Sequence, residues 1–225
     1  MNKITLFDIE YEKYTQSSIL FYVEMNSYVT VNNTSFENIT GKRGIIIRSD
    51  PTLDFYENSF TNCFFQNGLI TLYQRYLMSG HIHLYNNHFF NITSNYGSIV
   101  NAIEVYESFK DLAHFINSTF ENISASYYGG IIYSESRNLN ESIIFENCEF
   151  INCHAKIGDI SYSVDKNSEP FISNIDELKK IPSALATNPT NLVLNDNSMN
   201  YISLYSGQKI PDGISCKINK YIINK

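Results

Sequence analysis

A short pattern, Phe-x-Asn-(Ile/Cys), recurs five times at nearly even spacing, and it constrains the fold of this chain more than any other feature. The copies are Phe36-Glu37-Asn38-Ile39, Phe60-Thr61-Asn62-Cys63, Phe89-Phe90-Asn91-Ile92, Phe120-Glu121-Asn122-Ile123 and Phe150-Ile151-Asn152-Cys153. Their phenylalanines are 24, 29, 31 and 30 residues apart. Eight residues after the Phe stand Gly44, Gly68, Gly97 and Gly158, with Gly129 one place late. Ten residues after it stand Ile46, Ile70, Ile99 and Ile160, with Ile131 displaced in the same way. Five and seven residues before it are Val31 and Val29, Phe55 and Leu53, Leu84 and Ile82, Phe115 and Ala113, and Phe145 and Ile143. Apolar residues two apart lie on one face of a strand.

Each unit therefore offers three short strands: one upstream, one at the Phe and one after the Gly. Asn33, Asn86, Asn117 and Asn147 precede the Phe strand, and the Asn of the motif follows it. Asn enters the left-handed conformation of a sharp corner at less cost than other non-glycine residues. Stacked in register, the same Asn can hydrogen-bond its counterpart in the next coil. Coils of this length with three strands each describe an all-β, right-handed parallel β-helix, with Phe, Ile and Cys stacked inside. An up-and-down barrel is the alternative, but it gives no reason for the Phe-x-Asn and Gly registers.

The β-helix reading covers residues 1–163, with Leu6-Phe7-Asp8-Ile9 as a degenerate first coil. Residues 164–182 read as a capping or linking segment holding a short capped helix at Ser173–Lys180, acids early and lysines late, ended by Pro182. Residues 183–225 read as the start of a truncated β domain, with β segments at Leu192-Val193-Leu194 and Tyr201–Tyr205. The chain is acidic, with a net charge of −7, which argues against nucleic acid as a partner. No apolar run is long enough to span a bilayer, and no secretory signal pattern opens the sequence.

The repeat block resembles right-handed parallel β-helix segments of large cell-surface proteins. The stretch Lys166-Asn167-Ser168-Glu169-Pro170, with Asn174–Lys180, Ala186–Thr190 and Ile202–Gly207, resembles a junction in ectodomains of anaerobic gut fungi. The resemblance implies a β domain downstream and, in some members, a class C receptor-like membrane region. It also implies an extracellular or cell-surface location. It carries over no catalytic residue.

The chemistry-bearing residues are sparse. The acids Asp50, Asp54, Asp111 and Asp159 occupy unrelated registers, with no pair on one strand of the kind that glycoside hydrolysis needs and no Ca²⁺-binding cluster of the kind a lyase needs. His81 and His83 flank Ile82, so both face away from the core, but a third metal ligand is not evident. His88, His114 and His154 fall in different columns and form no triad. Cys63 and Cys153 share a column three coils apart, roughly 14 Å at about 4.8 Å per coil, too far for a disulfide. Cys148 and Cys153 could meet only across a tight turn, so buried small hydrophobes are the simpler role. No catalytic residue, metal site or cofactor is expected.

Seven sequons stand at Asn32, Asn33, Asn38, Asn91, Asn117, Asn122 and Asn140, only mildly more than a chain with 28 Asn yields by chance. Several are corner residues, which is expected to limit their access. Tyr73, Tyr76, Tyr96, Tyr106, Tyr127, Tyr128 and Tyr133 lie in or beside expected outer loops, where phenol rings can stack on sugars. These features point to a non-catalytic, extracellular-type recognition or adhesion β-helix whose partner is polysaccharide or a cell-surface glycan. The alternatives are a polysaccharide-active lyase or hydrolase, and a structural stalk or truncated remnant.

Overall fold

A computed structural model describes residues 19–24, 27–73, 79–105 and 109–188, and the backbone of 192–194 and 216–218. The first 187 residues form one compact unit and residues 188–225 a second. In the first, three parallel sheets wind around one core. The upstream sheet stacks Tyr28–Asn32, Thr52–Tyr56, His81–Tyr85, Ala113–Ile116, Ile143–Glu146 and Phe171–Ile172. The phenylalanine sheet stacks Ser35–Glu37, Ser59–Phe65, His88–Tyr96, Thr119–Glu121 and Glu149–Ile151, with shorter strands just beyond the corner. The glycine-side sheet stacks Ile19–Glu24, Arg43–Arg48, Ile70–Tyr73, Val100–Glu104, Ile132–Ser134, Ser161–Ser163 and Leu185–Thr187. Every neighbouring pair in these sheets is parallel, so the chain is a β-solenoid and not an up-and-down barrel.

The repeat columns become ladders. Phe36, Phe60, Phe89, Phe120 and Phe150 are register partners along one line. Their rings stack with centroids 4.6, 5.2, 4.8 and 5.4 Å apart and nearly parallel planes. Burial of Phe36, Phe60, Phe89 and Phe120, all fully enclosed, contributes about 1.5–3 kcal/mol each, and each stacked pair about 0.5–1.5 kcal/mol more. Val31, Phe55, Leu84, Phe115, Phe145 and Ile172 form the facing column. Cys63, Cys148 and Cys153 are free thiols buried in this core.

Both corners flanking the Phe strand adopt the left-handed conformation. Before it, Asn33, Asn86, Asn117 and Asn147 have φ between 46° and 55°. After it, Asn38, Asn62, Asn91, Asn122 and Asn152 have φ between 50° and 57°. Glu57 occupies the missing corner of the second coil at φ 56°. The inter-coil Asn ladder runs mainly along the next residue. Thr34, Asn58, Asn87, Ser118 and Cys148 are all buried. Asn58 Oδ1 accepts the Thr34 N–H at 2.9 Å, and Asn87 Oδ1 accepts the Asn58 N–H at 2.9 Å. On the corner column itself, Asn91 donates to Asn62 Oδ1 at 2.7 Å.

Two departures from even spacing have local causes. Ser94 pairs with Ala125 but Tyr96 pairs with Tyr128, so the Ser124–Tyr128 strand carries one extra residue. The next coil takes it out again, since Ala125 pairs with Ala155 and Tyr128 with Ile157. This β-bulge is why Gly129 and Ile131 stand one place late. In the second coil the extra residue lies between Phe65 and Ile70, so Ile45, not Ile46, partners Ile70. The turn after the Phe sheet leaves no room at Gly97, with φ 47° and a Cβ that would sit 2.1 Å from the Val100 carbonyl oxygen.

The solenoid also runs further than the periodicity indicates. The motif columns end near 163, yet Phe171–Ile172 and Leu185–Thr187 extend two of the sheets in register. The helix between them is one turn, Ile175–Leu178, with Leu178 buried. Asn174 does not cap it through its side chain, which instead donates to the Cys148 carbonyl at 3.2 Å. In the second unit, Leu192–Leu194 pairs antiparallel with Cys216–Ile218. The expected coil at Leu6–Ile9 and strand at Tyr201–Tyr205 lie outside the described residues.

Candidate functional site

Two outward-facing clusters carry chemistry. The first lies at the corner where the phenylalanine sheet turns into the glycine-side sheet. Tyr96 and Tyr128 end neighbouring strands as register partners, and Tyr133 and Tyr162 pair on the next sheet. Tyr127 sits in the bulge, 47% exposed. The five rings touch in sequence. Centroids are 5.1 Å for Tyr96–Tyr127, 5.2 Å for Tyr96–Tyr133, 4.8 Å for Tyr128–Tyr162 and 5.6 Å for Tyr133–Tyr162. The Tyr133 hydroxyl donates to the exposed carboxylate of Glu135. Burial first, and that hydrogen bond second, push the Tyr133 phenol well above the ordinary tyrosine range.

The structure thus gathers Tyr96, Tyr127, Tyr128 and Tyr133 from the expected set, at a sheet corner and not in loops. Tyr162 belongs with them and was missed. Its signal was present: Tyr162 stands twelve residues after Phe150 and Tyr133 thirteen after Phe120, one column once the bulge is counted. Tyr73 ends the Ile70–Tyr73 strand, where Glu104 is its register partner, two positions beyond the column that holds Tyr133. Tyr76 and Tyr106 lie outside the described residues.

The second cluster covers the outer face of the upstream sheet. Asp54, His83 and His114 are register partners on successive strands, each pointing away from the core. His83 lies between two carboxylates. Its Nδ1 is 2.9 Å from Asp54 Oδ1, and its Nε2 is 3.3 Å from Asp111 Oδ2. Asp54 is only 4% exposed, and its other oxygen accepts the Tyr28 hydroxyl at 2.6 Å. That bond holds the Tyr28 phenol above its usual value. His81 Nδ1 is 2.8 Å from the Asp111 main-chain oxygen. His114 Nδ1 approaches Asp111 Oδ1 to 3.1 Å, though outside hydrogen-bonding geometry.

Asp54 and Asp111 are therefore not unrelated, and His114 shares the column of His83. The overlooked signal is the position six before the Phe, which holds Thr30, Asp54, His83, His114 and Ile144. The apolar columns at five and seven flank and mask this polar one. Asp111 also supplies the third donor beside His81 and His83 that the sequence did not reveal. Asp159 stands apart, accepting the Ala155 N–H at 3.0 Å and the Ser183 hydroxyl.

The sequons are more open than their corner positions suggest. Asn33, Asn38, Asn91, Asn117 and Asn140 are exposed, and Asn32 and Asn122 half-buried. Among the described residues no helix is long and apolar enough to cross a membrane.

The chain is similar to metabotropic glutamate receptor-like protein Q of Dictyostelium discoideum, 27% identical over 146 residues. The match covers 62% of this chain and only 12% of the Dictyostelium protein. No family pattern matches the chain, and no solved structure does.

Proposed function

We propose that this chain is a non-catalytic recognition or adhesion segment of a larger cell-surface protein, and that it binds polysaccharide. The tyrosine corner carries the reading. Five phenol rings from three coils form a contiguous flank, with one ring 47% exposed and a carboxylate at its edge. Aromatic faces stack on the C–H surfaces of sugar rings, while phenol and carboxylate oxygens bond sugar hydroxyls. Rigid strands present the rings, so little side-chain entropy is lost on binding. The similarity to a receptor-like protein supports a surface setting.

The test is a panel of plant and microbial polysaccharides screened by affinity electrophoresis with the 225-residue chain. Retardation by at least one polysaccharide, lost in Tyr127→Ala and in Tyr96→Ala, is expected. Release of reducing ends or unsaturated products from the bound polysaccharide would replace this reading with a polysaccharide-active enzyme. Retardation that both variants retain would move the site elsewhere.

A further inference from the structure

We propose that His81, His83 and Asp111 form a binding site for a divalent transition-metal ion of the zinc class on the outer face of the upstream sheet. One donor atom from each lies within 4.8 Å of the others. The pair that fixes the geometry is His83 Nε2 and Asp111 Oδ2, 3.3 Å apart. Two ligands of a tetrahedral ion with bonds of about 2.0–2.1 Å stand roughly 3.3 Å from each other.

The surroundings of these donors are those of a metal site. Histidine ligands commonly give their second ring N–H to a carboxylate or a backbone carbonyl, which fixes tautomer and ring orientation. His83 meets the first case, with Nδ1 against Asp54 at 2.9 Å, and His81 the second, with Nδ1 against the Asp111 carbonyl at 2.8 Å. Asp54 is itself anchored by Tyr28. With the His83 proton directed at Asp54, Nε2 presents a lone pair to a carboxylate oxygen 3.3 Å away. Two facing acceptors call for a cation between them. The remaining Asp111 oxygen, Oδ1, makes no hydrogen bond and faces His114 Nδ1 at 3.1 Å.

The donor set selects the ion class. Two imidazoles and one carboxylate suit zinc, cobalt, nickel or copper, whereas calcium and magnesium require mostly oxygen ligands. Three protein ligands leave a coordination position open to solvent or to a partner's donor. This site lies on the upstream sheet and stands independently of the tyrosine corner.

Zinc titration of the full chain by calorimetry is the test, with cobalt absorption as a second readout. Wild-type protein takes up one equivalent, and the cobalt form has the intense visible bands of a tetrahedral nitrogen–oxygen site. His83→Ala and Asp111→Asn abolish uptake, and Asp54→Asn weakens it about 10- to 100-fold, since the neutral amide is a poorer acceptor for the His83 N–H. His88→Ala and His154→Ala, on other faces, leave it unchanged. Circular dichroism of each variant separates loss of ligand from loss of fold, since none of the substituted side chains lies in the apolar core. No uptake by wild-type protein, or uptake equal in His83→Ala, overturns the proposal and leaves His83 as a hydrogen-bonded bridge between Asp54 and Asp111.

Discussion

The side-chain oxygen of Asn87 accepts two hydrogen bonds from Asn58, one from its backbone N–H at 2.9 Å and one from its amide at 3.1 Å. The Asn87 amide in turn donates to the carbonyls of Phe55 and Tyr85, both at 3.1 Å. One buried side chain thus satisfies four polar groups at the point where the core column must bend around a corner. Removing it takes the side-chain acceptor from the Asn58 N–H and a donor from the Phe55 carbonyl, at about 1–3 kcal/mol for each group left unsatisfied, while the Asn58 amide keeps the Val31 carbonyl and the Tyr85 carbonyl keeps the Glu57 N–H.

Asn87→Leu is therefore expected to destabilise the solenoid by at least ~2 kcal/mol. The neighbouring Asn86→Ala, which affects only backbone conformation, should cost about 1–2 kcal/mol. Urea midpoints of the two variants check the ranking. Equal midpoints would mean that the ladder contributes little beyond the corner geometry.

Glu57 offers a gain in the opposite direction. It holds φ 56° where the equivalent residue of the other coils is Asn. A residue without Asn's local hydrogen-bonding ability pays roughly 1–2 kcal/mol for this conformation. Glu57→Asn is expected to raise the melting temperature, and Asn117→Val to lower it.

The buried thiols predict a pH dependence. Burial pushes Cys63 up to about 11, and Cys148 and Cys153 up to about 12, against 9.0 for a free thiol. Between these values the unfolded chain loses the thiol protons while the folded chain keeps them. Stability from these groups is thus complete below about pH 9 and falls as pH rises toward 11–12. Denaturation followed from pH 7 to pH 10.5 should show the decline, reduced in Cys153→Ala. Iodoacetamide at pH 8 should spare all three thiols until urea unfolds the protein.

How far the sequence disclosed this structure depends on chemical uniformity within a column. Five phenylalanines in register are conspicuous, and they led directly to the parallel solenoid and to the left-handed Asn corners. The buried ladder escaped because its column reads Thr34, Asn58, Asn87, Ser118 and Cys148, small side chains of four residue types. Asp54, His83 and His114 escaped for the same reason, since an acid and two imidazoles on adjacent strands become a network only in three dimensions. The tyrosines were legible individually. Their convergence was not, because the bulge at Ser124–Tyr128 shifts Tyr133 by one place relative to Tyr162. The coil ending in Leu185–Thr187 lacks the motif altogether, and its strands are held by their neighbours in the stack.

On the proposed reading, the tyrosine corner is the ligand-binding face. The most direct measurement is NMR of the chain with ring-labelled tyrosine, titrated with the polysaccharide fragment that binds most tightly in the screen. Shifts are expected only at Tyr96, Tyr127, Tyr128, Tyr133 and Tyr162, with Tyr28, Tyr56 and Tyr85 on the upstream sheet unmoved. Shifts at the upstream tyrosines with the corner silent, or no binding by any fragment, would contradict it.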